Sequence, residues 1–188
     1  MNVWQMTLLS LLTTCFASFA WALKRHFVSR RMSPLMRMTA GLGLLSLGLH
    51  ILAIFEMQTF SRIRLSMSLV LYVISLGLFW WTINVTRPRR LSVAFSSDGP
   101  HSLLQIGPYR FVRHPFYTAY SLFWMAGFVA ALRWYLIPSL SVLLSLYFAA
   151  AITEETKFSN SEFRELYESY RARTGMFVPR LKGIRHVC

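Results

Sequence analysis

Residues 65–86 read LSMSLVLYVISLGLFWWTINVT, 22 positions without a single Asp, Glu, Lys or Arg. At a rise of about 1.5 Å per residue, a helix of that length covers the hydrocarbon core of a bilayer, about 30 Å thick. Four more charge-free stretches flank it, at 1–23, 38–55, 114–132 and 134–153, with 23, 18, 19 and 20 residues. The five runs hold 102 residues, so the other 86 carry all 27 charges. This pattern predicts an all-α integral membrane bundle of five transmembrane helices and excludes a soluble globule. A transmembrane β-barrel would alternate polar and apolar residues in short segments, whereas 69–81 is continuously apolar or nearly so. High apolar content (55%) and only two cysteines exclude disorder and a small disulfide scaffold.

The distribution of charge orients the bundle. Twenty Lys plus Arg against seven Asp plus Glu give a net charge of +13. Lys24, Arg25, Arg30, Arg31 and Arg37 lie between the first and second runs, and Arg87, Arg89, Arg90, Arg110 and Arg113 between the third and fourth. Lys157, Arg164, Arg171, Arg173, Arg180, Lys182 and Arg185 follow the fifth, while the alternate loops carry only Arg62 and Arg64 near Glu56, and Arg133. This is the positive-inside pattern, with the N-terminus outside and the C-terminus cytosolic. A bacterial inner membrane is the expected location, with the endoplasmic reticulum next. The basic loops suit anionic lipid head groups, and the clustering argues against nucleic acid as the partner. The first run has no basic residue ahead of it, so it reads as a retained span rather than a cleaved signal. Cys15 within it and Cys188 on the opposite side are too far apart to pair.

Residues 1–86 hold three plain spans, with Gly41, Gly43, Gly48 and Gly77 as candidate points of close helix approach and His50 and Glu56 at an outer boundary. Residues 87–188 differ. The 27 residues of 87–113 are punctuated at Pro88, Asp98-Gly99-Pro100 and Gly107-Pro108, and a connection that long is usually functional or disordered. Only Arg133 separates the fourth run from the fifth, which predicts a tight hairpin with Pro138 tolerated near the start of its second arm. Beyond it, Ser159 and Glu162 have the spacing of a capping box, and Phe163, Leu166, Tyr167 and Tyr170 fall on one helical face. That predicts a C-terminal amphipathic helix on the membrane or over a cavity, stopping near Gly175, with the two tyrosines as interfacial anchors.

The hairpin brings Tyr109, Arg113, His114 and Tyr117 beside Glu154, Glu155 and Arg180. Such a set suits a zwitterion that also carries a soft cation: carboxylate to Arg or His, ammonium to Glu, sulfonium to tyrosine faces. S-adenosylmethionine has all three groups, as do other zwitterions in part. Taken singly, Arg110 and Arg113 equally fit snorkelling to head groups, and His114 the cap of the fourth span. Adjacent carboxylates at a helix C-terminus, the unfavourable end of the dipole, require a cationic partner.

The segment Gly107-Pro108-Tyr109-Arg110-Phe111-Val112-Arg113-His114-Pro115-Phe116-Tyr117, then Glu154-Glu155, Tyr167, Tyr170 and Val178-Pro179-Arg180, resembles the isoprenylcysteine carboxyl methyltransferase and phospholipid methyltransferase superfamily. The resemblance spans roughly the last 85 residues, with Ala119 and Phe163-Arg164 standing where many members have Gly and Phe-Gly. It implies an S-adenosylmethionine-dependent membrane methyltransferase acting on a lipid or lipidated small acceptor. His114, Tyr117, Glu154 and Glu155 would contact the cofactor, and Gly107 and Tyr109 would shape its wall. Arg113 would orient the acceptor, and Glu155 would serve the cofactor ammonium or take a proton. No metal is required, and no spacing in the chain suits zinc. A steroid-reductase-type enzyme using NADPH and a non-enzymatic accessory protein of the same fold are the competing readings.

Overall fold

Asn2 starts the first helix. Its side chain accepts the Gln5 amide and its own amide reaches the Gln5 side chain, both at 3.0 Å, a reciprocal cap. The computed structural model describes residues 1–27, 34–59, 61–88 and 103–180. Within them run α1 (Val3–Arg25), α2 (Pro34–Phe55), α3 (Arg62–Thr86), α4 (Pro115–Ala131), α5 (Ile137–Ser159) and α6 (Arg164–Arg173), with 3-10 turns at Gly107–Arg110 and Trp134–Leu136. The only β pairing among the described residues is an isolated parallel bridge between Val112 and Gly175. Arg30, Arg31, Arg89, Arg90, Asp98-Gly99-Pro100, Lys182, Arg185 and Cys188 lie outside the described residues.

Helices α1, α2, α3 and the 134–159 segment are each long and apolar enough to cross a membrane. Helix α4 has 17 residues and falls short of that length. Ten of its residues are buried, so its neighbours rather than lipid surround it. The helices outrun the charge-free stretches: Lys24, Arg25, Arg62, Arg64, Glu154, Glu155 and Lys157 are all helical. Lipid compatibility governs where charge is absent, whereas backbone hydrogen bonding continues past it.

Cross-contacts define two ends of the bundle. At one, the Gln5 side-chain amide donates to the carbonyls of Ile54 and Met57 at 3.1 and 3.2 Å, closing the end of α2, and Tyr135 donates to Glu56 at 2.8 Å. At the other, His26 meets Thr86 at 2.9 Å, Phe27 packs on Phe116 at 5.1 Å, and Tyr117 reaches Glu154. Between them Phe19 of α1 packs on Phe79, Tyr120 and Phe123 within 5.2 Å. Helices α3 and α4 are joined by buried hydroxyls, Ser68 to the Ala126 carbonyl (2.8 Å) and Ser75 to that of Ala119 (2.7 Å).

Three sequence expectations are corrected here. A side chain at Gly41, Gly48 or Gly77 would meet open space, so these glycines do not mediate close approach; a Cβ on Gly127 would sit 2.3 Å from His50. His50 itself is fully buried beside Trp124 rather than at a solvated boundary. The α4–α5 hairpin forms as expected, through Leu132 in the left-handed region (φ 49°), with Pro138 in the first turn of α5. Ser159 and Glu162 do not form a capping box. Ser161 instead accepts the Phe163 amide, and α6 begins at Arg164.

Candidate functional site

The segment before α4 is shaped by backbone constraints. Gly107 takes φ +57°, and a Cβ there would lie 2.6 Å from Val85, so this turn requires glycine. Pro115 sits in the first turn of α4, where its missing amide hydrogen costs nothing. Residues after α6 lie alongside this segment. The Arg113 and His114 amides donate to the Gly175 and Met176 carbonyls at 2.8 and 3.1 Å, and Thr118 donates to the Phe177 carbonyl at 3.2 Å. A Cβ on Gly175 would overlap the Val178 carbonyl, so the tail turns there only as glycine. Tyr170 donates to the Tyr109 carbonyl at 2.7 Å, and Tyr167 stacks on Phe158.

Two carboxylates at the end of α5 then take different roles. Glu155 is 7% exposed and enclosed by cations: Arg113 Nε at 2.8 Å, His114 Nε2 at 3.1 Å and Arg171 Nε at 3.7 Å. Arg113 also gives Nη1 to the Thr174 carbonyl at 2.5 Å. Glu154 is 37% exposed; it accepts from Tyr117 at 2.5 Å and faces His114 Nδ1 at 3.5 Å. His114 therefore lies between two carboxylates, one at each ring nitrogen, and only the imidazolium can donate to both. Burial opposes its protonation, but hydrogen bonds and charge from Glu154 and Glu155 outweigh burial and raise its pKa. Burial, reinforced by Glu154, keeps the Tyr109 phenol neutral with its pKa raised.

A cavity of about 470 Å³ opens beside this network. Tyr109, Arg113, His114, Tyr117 and Glu154 line its polar end. Phe16, Phe19 and Leu23 of α1, Phe27 just beyond it, and Ala40, Gly43 and Leu44 of α2 line the apolar one. Between them stand Tyr120, Tyr147 and Trp124. Tyr147 stacks on Tyr117 at 5.9 Å with rings 9° from parallel, and accepts a hydrogen bond from the Trp124 indole at 3.0 Å. The carboxylate, imidazolium and aromatic faces can hold a ligand with a cation, an anion and a soft charged centre.

The structure thus gathers five of the expected residues on the cavity and separates three. Glu155 sits behind the wall, and its three cations leave it an anion that anchors rather than a base. Gly107 makes the turn and does not line the cavity. Arg180 is outside the site, with its guanidinium on the Ala172 carbonyl at 2.8 Å. Arg113 touches the cavity with its side chain already committed to Glu155, which argues against its orienting an acceptor. Tyr167 and Tyr170 are 2% and 4% exposed, supports of the site rather than interfacial anchors. Sequence reasoning missed Tyr120 and Tyr147, though both carried a signal: Tyr120 follows Tyr117 by three residues and Tyr147 precedes Glu154 by seven, so each shares a helix face with a site residue. It also missed Lys24, whose proximity depends on how α1 packs. Among the described residues, no three His, Cys, Asp or Glu gather as a metal site.

Residues 95–174 match DUF1295, described as a protein of unknown function. That family belongs to the membrane superfamily of steroid reductases and isoprenylcysteine methyltransferase-like proteins. The match takes in α4, α5 and α6 with the site loop and leaves α1, α2 and α3 outside it. No curated protein matches the chain. Fold and comparison together define a membrane-type helical protein with a DUF1295 segment at its polar site.

Proposed function

We propose that the protein is an integral membrane S-adenosylmethionine-dependent methyltransferase whose acceptor is lipid-like. One observation carries this reading: a single cavity joins a carboxylate, an imidazolium and stacked tyrosines at one end to an apolar wall at the other. Glu154 would hold the cofactor's ammonium, the His114 imidazolium would add positive charge beside its carboxylate while keeping both ring N–H groups on Glu154 and Glu155, and Tyr109, Tyr117 and Tyr147 would surround its sulfonium. When bound, the cofactor supplies an electrophilic methyl group. The protein's tasks are to align the two partners and exclude water, which the tyrosine wall and the Phe177 cover over His114 favour. The basic end, with Lys24, Arg87, Arg110, Arg164 and Arg171, would face the cytosol, where the cofactor is made available.

The test is thermal stability of the purified protein in mild detergent with S-adenosylmethionine, S-adenosylhomocysteine or NADPH. Saturation at a hundred times Kd adds about 2.7 kcal/mol to the native state. Both adenosyl compounds are expected to raise the midpoint, and Glu154→Gln to abolish the rise. A shift with NADPH alone would overturn the proposal.

A further inference from the structure

Lys24 lies at the end of α1, lines the cavity and is exposed. The packing of Phe27 on Phe116, 5.1 Å apart, brings this end of α1 against the start of α4. The other two cations on the cavity are occupied, Arg113 by Glu155 and two carbonyls, His114 by two carboxylates. Among the described residues Lys24 makes no hydrogen bond or ion pair. Among the described residues that line the cavity it is the uncommitted cation.

Resting on the methyltransferase reading, we propose that Lys24 is the specificity-determining residue for the acceptor. It selects a long-chain molecule whose nucleophile is anionic at neutral pH, a carboxylate above all, against an amine. In such a transfer the sulfur–methyl bond breaks and its electron pair stays on the now neutral sulfur. A lone pair of the acceptor oxygen forms the new bond to the methyl carbon, and no proton is released. An ammonium acceptor would first have to lose a proton to a base. Of the two carboxylates here, Glu155 is enclosed by Arg113, His114 and Arg171, and Glu154 already accepts from Tyr117 and faces the His114 imidazolium. Charge on Lys24 and the lack of a free base point the same way. The cavity has room for one drug-sized ligand, so only the reactive end of the acceptor enters beside the cofactor. Its chain leaves along α2, where Leu44 is both part of the lining and 61% exposed.

The experiment uses the full chain in phosphatidylcholine nanodiscs with palmitate or hexadecylamine. It reads the melting midpoint with S-adenosylhomocysteine bound, and methyl incorporation from labelled S-adenosylmethionine. Palmitate is expected to raise the midpoint and to be methylated, hexadecylamine to do neither. Lys24→Gln should raise the apparent KM for palmitate at least tenfold, Lys24→Glu more, and Lys24→Arg should restore it. All three should keep the wild-type response to S-adenosylhomocysteine and the wild-type midpoint without ligand. An unchanged palmitate KM in Lys24→Gln, or preference for hexadecylamine, overturns this inference alone. No response of the wild type to S-adenosylhomocysteine overturns it together with the function on which it rests.

Discussion

His114 shows how one residue can be legible in type and not in role. Its neighbours Arg113 and Pro115 mark it in the sequence, and Glu154 and Glu155 are legible as a pair in need of a cation. Which carboxylate goes where depends on the rotation of α5, a fact of packing that sequence spacing does not contain. The result is an imidazolium whose pKa lies above its ordinary 6.5 because the two carboxylates outweigh burial. Since the folded state holds this proton more tightly than the unfolded one, the associated stability is complete below the unfolded pKa. It is lost as pH rises through the higher folded value. The groups that face the ring are Glu154 and Glu155, with Tyr117 stacked beside it and Arg113 and Arg171 on the far side of Glu155. His26 has the opposite sign, because burial and then Arg87 lower its pKa, so it acts only below the ordinary value. The melting midpoint of the wild type is therefore expected to fall as pH rises above 6.5, and that of His114→Gln to stay nearly flat. Parallel curves for the two proteins would show that His114 is neutral in the folded state.

At the level of elements, one side chain ties α6 and the tail behind it to two other parts of the bundle at once. Arg113 reaches from before α4 to Glu155 on α5 and to the carbonyls of Thr174 and Arg171 at the end of α6. The apolar face formed by Tyr167 and Tyr170 was visible from spacing alone, but its partner was not, because a membrane surface and a protein surface accept the same face. The structure resolves this through Tyr170 on the Tyr109 carbonyl and Tyr167 on Phe158. Removing one member of a buried ion pair costs about 3–5 kcal/mol, since the other charge is stranded. Arg113→Ala is expected to lose stability by less than that range, because His114 and Arg171 still face Glu155, and to expose Arg171 and Arg173 to trypsin well before the rest of the chain. Arg113→Lys should recover little, as an ammonium has no planar fork to serve a carboxylate and two carbonyls together. Wild-type proteolysis in Arg113→Ala would mean that the tyrosine contacts alone hold α6.

The molecule as a whole poses the question of how often the chain crosses the bilayer. Five charge-free runs were legible in the sequence, yet among the described residues four segments have the length and hydropathy of a span, because α4 stops after 17 residues. About 26 Å of helix is a few ångströms short of a typical hydrocarbon core. The contacts show that it nevertheless reaches both ends of the bundle. Phe116 and Tyr117 lie with Phe27 and Glu154 at one end, and Ala131 packs with Ala53 and Leu136 at the other. Helix α4 thus runs the same distance as its neighbours, and burial of ten of its residues relieves it of matching the lipid. On the reading that α4 crosses with its neighbours, five traversals would put the two termini on opposite faces, with the basic residues gathered at the end that holds Lys24 and Glu154. Single cysteines in a background lacking Cys15 and Cys188 test this in intact cells with an impermeant maleimide. Asn2→Cys and Arg133→Cys are expected to label without permeabilisation, Lys157→Cys and Glu165→Cys only after it. Labelling of Asn2→Cys and Glu165→Cys from the same face would require an even number of crossings and would overturn the five-span reading.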